Sequence, residues 1–387
     1  MERLKNLLFL FLVLFTISCK DSTEIVTVIN PDGSCYREFT ENVGHSFLLG
    51  DTTDDSNPFP VKIDSACRIA WKYGDKEYRT DFPITIEQYN AFADSLPVDT
   101  DKVTKEIKKS PNPFTVVLRT EYKSVKEMNE KFKYKPSFEW SGMKVKYSLD
   151  KEFKWFYTYY SYKEIYPKIK TGFNLPIEDY MSNDEAKFWF TGQPDLLKGM
   201  NGLEIREYIG SLEDKYLHWF AKNSWNNQYK ILLENYDKIK NKPVTNERLE
   251  LLRDTIFKEK VKDFEDFEMQ NALNEYFNTK VFSQLWNDEE AVMKKYEKDF
   301  SEQKSTEYFT KSFNYNLKLP GNITIPNNSV IKGDTMTWRL TAYRMVHDDY
   351  IIEAQSRRAN IWTFVLTGIV LIIAIGSFVY KPKRRIK

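Results

Sequence analysis

Between Ile361 and Tyr380 the chain carries no charged side chain: IWTFVLTGIVLIIAIGSFVY. The hydrocarbon core of a bilayer, about 30 Å thick, is crossed by roughly 20 helical residues rising about 1.5 Å each. The run therefore predicts a C-terminal transmembrane helix over 361–380, with the amphipathic rings of Trp362 and Tyr380 at its two ends. The tail that follows, 381–387, carries Lys381, Lys383, Arg384, Arg385 and Lys387. Basic residues next to a span stay on the cytoplasmic side, so the tail is expected inside and the rest of the chain outside.

The other end carries export grammar. Arg3 and Lys5 make a positive start, Leu7 to Ile17 a short apolar core, and Ser18 a small residue before Cys19. The apolar core is too short to cross a bilayer comfortably. Residues 1–19 thus read as a signal peptide, and Thr16-Ile17-Ser18-Cys19 resembles a bacterial lipobox, though without Leu three residues before the cysteine. That resemblance implies lipidation of Cys19; ordinary cleavage after Ser18 is the alternative. Together the two ends predict a single-pass protein of a bacterial inner membrane, with its body in the periplasm and its N-terminus lipid-anchored.

The remaining body is mixed in charge. The chain is +1 overall, the tail contributes +5 and the leader +1, which leaves −5 for the body. Nothing in that balance calls for nucleic acid. In an oxidising compartment Cys35 and Cys67 are candidates for a disulfide, the alternative being two buried thiols. The aromatic load is high, with 27 Phe, 24 Tyr and 9 Trp, and is expected mostly in core packing.

Along the chain the pattern changes twice. Residues 20–177 carry short alternating runs with turn signals such as Pro31-Asp32-Gly33. The clearest is 143–161, where Phe153, Trp155, Tyr157 and Tyr159 share one face, read as the buried face of a sheet with its turn at Asp150-Lys151. Residues 178–304 switch to helical spacing, opened by a capping box at Ser182-x-x-Glu185. Alternation returns over 305–360 with Phe313, Tyr315, Leu317 and again with Met336, Trp338, Leu340. The expected architecture is α+β: a β-rich membrane-proximal domain built from the N- and C-terminal parts, a helical insertion, and one C-terminal transmembrane helix. Three consecutive subdomains are the alternative.

The strand–Asp32-Gly33-Ser34–strand unit near Cys19, the run Phe153-Lys154-Trp155-Phe156-Tyr157-Thr158-Tyr159-Tyr160, and Gly333-Asp334-Thr335-Met336-Thr337-Trp338 ahead of the apolar run resemble a group of Bacteroidota envelope lipoproteins. The two outer parts are also distantly similar to the LppM-type lipoprotein domain. The resemblance covers the flanks and not the helical block; it implies envelope residence and lipid handling, and carries no catalytic residue across.

No catalytic pattern stands out. His45, His218 and His347 are far apart, and His347-Asp348-Asp349 alone gathers metal-ligand types. Adjacent strand residues alternate faces, so these three do not converge on one ion without a special turn. There is no GxSxG, Walker-type or HExxH pattern. No metal, no cofactor and no enzymatic activity are expected. The expected role is a doubly anchored interaction or scaffold module that meets the bilayer and, through the helical block, an envelope protein partner. A lipid or glycan binder with an aromatic-lined pocket is the alternative. Six sites, Ser22, Thr52, Ser65, Ser95, Thr255 and Thr335, each follow an Asp in a pattern similar to the O-glycosylation acceptors of exported Bacteroidota proteins. Mass spectrometry of the native protein should find a hexose-bearing peptide at one or more of the six; unmodified peptides at all six would dispose of the idea.

Overall fold

The hairpin at the front of the chain sets the frame. Strands β1 (Thr23–Ile29) and β2 (Cys35–Asn42) alternate buried and more exposed positions. Asp32 shapes the turn between them: its Oδ1 accepts from the Ser34 amide at 2.9 Å and the Ser34 hydroxyl at 2.7 Å. The structure is a computed structural model that describes residues 23–74, 76–93, 114–265, 267–287, 291–295, 312–325 and 329–379. The signal peptide expected at 1–19 lies outside them.

Nine further strands follow among the described residues: β3 (Cys67–Tyr73), β4 (Phe114–Tyr122), β5 (Lys146–Lys154), β6 (Tyr157–Tyr166), β7 (Ser312–Lys318), β8 (Asn322–Ile325), β9 (Val330–Lys332), β10 (Thr335–Thr341) and β11 (Tyr350–Ala359). They form a seven-stranded sheet in the order β3-β4-β2-β1-β7-β10-β9 and a four-stranded sheet in the order β5-β6-β11-β8. β1 pairs antiparallel with β2 and parallel with β7, so Thr23 lies opposite Phe313 and Val28 opposite Lys318. The chain divides into two compact units. Among the described residues, the first takes in those up to Tyr166, then Ser312–Leu340 and those from Ile351 to Val379; the second holds those between Pro167 and Lys311 and Thr341–Tyr350.

In the first unit the two sheets meet through a buried polar centre. Arg37 on β2 and Glu164 on β6 form an ion pair in which both side chains are almost wholly buried. Around Glu164, the Tyr162 and Tyr166 hydroxyls donate at 2.6 Å, and Tyr315 on β7 donates as well. Arg37 donates to Thr27 Oγ1 and to the Tyr147 hydroxyl, each at 3.0 Å. This centre decides which way β6 faces. Thr158, Tyr160, Tyr162, Glu164 and Tyr166 are buried, whereas Phe153 and Trp155 are 55% and 47% exposed. The period-2 pattern holds in β6, and Tyr147 on β5 is buried, but from Asp150 to Phe156 the chain is exposed on both faces. In β6 the buried face is the reverse of the one expected from the aromatic stripe. The turn also sits later, at Trp155-Phe156, because β5 pairs with β6 as far as Lys154 opposite Tyr157.

Helices α1 (His45–Leu48), α2 (Ile86–Ala93) and α3 (Val125–Lys131) belong to the first unit; Ser124 caps α3 by accepting from the Glu127 amide. The second unit holds α4 (Asn183–Thr191), α5 (Gly202–Asn235), α6 (Asn246–Lys260) and α7 (Met269–Tyr276). α4 opens with the capping box Ser182–Glu185 and α5 with a second one, Asn201–Glu204. α5 runs unbroken through the polar patch 223–227. Asn223 is buried there, accepting from the Asn174 and Leu175 amides at 3.0 and 2.9 Å and donating to the Trp219 carbonyl at 3.0 Å. The core between α5, α6 and α7 is aromatic, and its polar tips find backbone partners. Trp225 donates to the Arg253 carbonyl at 3.1 Å, and Tyr229 to Leu249 at 2.6 Å.

The last helix, α8 (Ile361–Val379), starts one residue after β11. The expectation of an α+β architecture closed by a transmembrane helix is corrected here. The molecule is a mixed α/β fold with two sheets, and no helix among the described residues is long and apolar enough to cross a membrane. The 19 residues of α8 extend about 28 Å, and its first two turns are engaged by the hairpin β5–β6. What is left falls short of a hydrocarbon core about 30 Å thick.

Gly321, in the turn from β7 to β8, holds φ +83°, and a Cβ there would lie 2.3 Å from the Arg357 carbonyl oxygen on β11. Gly333 also has positive φ, at +64°, but open space around it. Gly321→Ala should therefore cost about 2–4 kcal/mol, against about 1 kcal/mol for Gly333→Ala, because only the first adds a backbone clash to the conformational penalty. Paired denaturant titrations check this; equal costs would show that β11 yields at this point.

Candidate functional site

Several exposed aromatic side chains of unit 1, Phe153, Trp155 and Phe156, gather at the tip of the β5–β6 hairpin, where it clasps the start of α8. Asn360 makes the joint. Its amide donates to the Phe156 carbonyl at 2.8 Å, its side chain donates to the Trp155 carbonyl at 3.0 Å, and it accepts from the Thr158 hydroxyl at 2.8 Å. Asn360 also caps the helix, since its carbonyl accepts from the Thr363 amide at 2.9 Å and hydroxyl at 2.7 Å. Trp155 Nε1 donates to Thr367 Oγ1 at 3.0 Å, a further turn along.

Rings complete the clasp. Phe153 stacks on Trp362 with centroids 6.1 Å apart and planes 9° apart, and Trp155 meets the same ring edge-on at 5.8 Å. Phe156 packs on Phe364 at 4.6 Å. These rings touch one another yet stay exposed: Trp362 is 56% exposed and Phe153 nearly as much. Beyond them α8 presents Ile369, Val370, Leu371, Ile372 and Ile373 to the outside in consecutive positions. At about 100° per residue, such a run leaves no polar face. Lys151 and Lys154 on β5 and Arg357 and Arg358 on β11 are exposed beside the clasp, with Asp150 and Glu152 among them. Lys154 pairs with Glu152 at 3.0 Å, and the Arg357 guanidinium lies 4.9 Å from the Tyr157 ring centre.

A second feature of unit 1 is a cleft of about 500 Å³ whose lining includes Phe132, Tyr134, Met143 and Val145 together with Glu130, Lys133, Lys144 and Lys146. Phe132 is also the ring under which Arg37 sits, 5.0 Å from guanidinium to ring centre. The cleft thus backs onto the buried centre.

The residues singled out in the sequence fall in several places. Cys35 and Cys67 are free thiols, against the disulfide expected from their compartment. Cys35 on β2 lies opposite Tyr122 and Cys67 on β3 opposite Thr120, so β4 runs between them. Two strand spacings, about 9.5 Å, exceed the roughly 7 Å limit for Cα atoms joined by a disulfide. Burial pushes the Cys35 thiol up to about 11 and raises that of Cys67 as well, which keeps both protonated. Thr52, Ser65 and Thr255 are exposed, while Thr335 is half-buried and donates to Asp334 at 3.0 Å. Trp362 is in the clasp. Cys19, Ser22, Ser95, Tyr380, Lys381, Lys383, Arg384, Arg385 and Lys387 lie outside the described residues.

His347, Asp348 and Asp349 do not converge. Asp349 accepts from the Lys168 amide at 2.8 Å, and His347 turns into the second unit, with Nε2 3.1 Å from Asn183 and Nδ1 3.3 Å from Glu178. Among the described residues no group of three or more His, Cys, Asp or Glu side chains could hold a metal ion. A scan against protein families, a search of curated proteins and a search of solved structures each found no match to this chain.

His347 makes the second unit sensitive to acid. Burial lowers its pKa below 6.5; Glu178 and Asp348 oppose that shift, and Lys168 and Lys187 add to it. The neutral ring is the folded form, so its contribution is present above pH 6.5 and is lost as pH falls below it. His218, exposed but stacked on Phe257 and Phe264 and near Lys222, moves the same way, through partial desolvation first and Lys222 second. Melting curves between pH 7 and pH 5 should show the wild-type midpoint falling, and falling less in His347→Gln; parallel slopes would remove the histidine from the account.

Proposed function

We propose that this chain is a non-enzymatic interaction or scaffold module of a bacterial cell envelope, lipid-tethered through Cys19 on the outer face of the inner membrane. One observation carries the reading: α8 is exposed, apolar on every side and rigidly joined to a folded unit through Asn360 and the β5–β6 rings. An exposed apolar surface of that kind on an otherwise polar body marks a site of association. The export grammar at residues 1–19 supports a lipid tether near β1, which begins at Thr23. The second unit, with its own aromatic cores, is the part that presents a surface to an envelope protein partner.

A second reading has its own observation. The cleft beside Phe132 and Tyr134 combines apolar walls with lysines, which suits a lipid headgroup or an acidic glycan. It supports the lipid- or glycan-binding alternative.

Metabolic labelling with a fatty acid should mark the wild-type protein and not Cys19→Ala. Photo-crosslinking from the exposed face of α6, at Leu251 (74% exposed), should capture a second envelope protein. Absence of acyl label would remove the tether, and crosslinks returning only this chain would remove the scaffold role.

A further inference from the structure

We infer that the hairpin tip of β5–β6 and the first turns of α8 form a single docking rim for an anionic phospholipid surface. On this inference the rings sit at headgroup level and the exposed arginines and lysines meet the lipid phosphates. It rests on the envelope reading above and goes beyond it by naming the surface and the lipid class.

Three observations lead there. The first is contiguity. Phe153 and Trp155 touch Trp362, and Phe156 touches Phe364, so two ring groups meet at the neighbouring residues Trp155 and Phe156, all five rings over a third exposed. Ile361, Val365 and Leu366, exposed on the same helix as Trp362 and Phe364, extend this apolar surface. The second is shape. A protein groove covers one face of a helix, but α8 is apolar on all faces, and a fluid acyl layer is the solvent that suits such a helix. The third is charge. On β5 and β11, the two strands that lead into the rim, Lys146, Lys151, Lys154, Arg357 and Arg358 outnumber Asp150, Glu152 and Glu353. Long basic side chains lay their stems on apolar surface and extend their charge to headgroups, and rings with a polar handle favour the same depth. Trp155 already spends its N–H on Thr367, so its ring enters the headgroup layer without an unpaired donor.

The hairpin tip is the part that a merely tethered protein would not need. With a lipid at Cys19 as the only attachment, the tip would be free to lie in water. With the rim docked, Trp155 must contact lipid.

The test uses the full chain in vesicles of phosphatidylcholine, with and without phosphatidylglycerol, containing phospholipid brominated near the glycerol end of its acyl chains. The part of the tryptophan emission that disappears in Trp155→Phe should be quenched in the anionic vesicles. In the double variant Arg357→Glu, Arg358→Glu the docking equilibrium should shift by at least about tenfold, since each basic residue near such a surface contributes roughly fivefold. Raised salt should weaken the wild-type quench and leave the double variant nearly unchanged. If the chain floats with the vesicles but the Trp155 emission is unquenched, or is quenched equally in neutral vesicles, the rim is overturned and the envelope reading stands. If the chain does not float with vesicles at all, the envelope reading falls first. Phe156→Ala provides a second measure independent of the Trp155 hydrogen bond: it should reduce the quench of Trp155 while circular dichroism stays unchanged.

Discussion

The Arg37–Glu164 pair is the constraint on which the first unit depends. A carboxylate and a guanidinium removed from water cost several kcal/mol each, and their attraction repays this only when every remaining donor and acceptor is met. Here Thr27, Tyr147, Tyr162, Tyr166 and Tyr315 meet them. Burial holds these tyrosines far above their usual pKa, and the Glu164 carboxylate adds to this, so all stay protonated, Tyr162, Tyr166 and Tyr315 as donors to Glu164 and Tyr147 as the acceptor from Arg37. The groups come from β1, β2, β5, β6 and β7. They are drawn from three separate stretches of chain, so the two sheets have only one register in which the centre is satisfied. Replacing either charge alone would leave its partner buried and unpaired, at about 3–5 kcal/mol, a large part of the 5–15 kcal/mol that holds a typical domain.

That centre also explains where the sequence was legible and where it was not. Local chemistry was readable: the Asp32 turn, the Ser182–Glu185 box, and the alternation through Phe313, Tyr315 and Leu317 all depend on neighbours within a few residues. The facing of β6 was not. Alternation defines two faces, and choosing between them by hydrophobicity favoured the side with Phe153 and Trp155. The buried side carries Glu164, which looks like a surface residue until its partner, 127 positions away, is known. The same holds for Asn223: a polar residue in mid-helix is a capping group for another segment, and only the packing of 174–175 against α5 reveals it. The two cysteines satisfied the compositional argument for a bridge, but the insertion of β4 between their strands is a matter of strand order, which spacing does not encode.

The apolar run near the end of the chain reads in the sequence as a transmembrane helix, and no helix among the described residues is long and apolar enough to be one. The run is helical and exposed, but the first turns are taken up by Phe153, Trp155 and Phe156. The stripe that seemed to be sheet core and the helix that seemed to be independent are two halves of one contact. Neither half announces the other, because each alone is explained by a simpler rule. In the candidate site the sequence identified Trp362 but not its partners, and an excess of aromatic residues directly after a charged strand, KEFKWF, was the one available signal.

The parallel pairing of β1 with β7 has a consequence for how the molecule comes into being. Thr23 and its partner Phe313 are 290 residues apart, so one edge of β1 has no partner until that whole stretch has been synthesised. At about 5–20 residues per second that interval is of the order of tens of seconds. During it, the segment TEIVTVI presents an open strand edge with a single charge, the composition that recruits stray strands from other chains. Closing so distant a contact is also slow in itself. The nascent protein is therefore most vulnerable to misassembly at its N-terminal hairpin, and its yield in a cell depends on how that hairpin is sheltered until the seventh strand arrives.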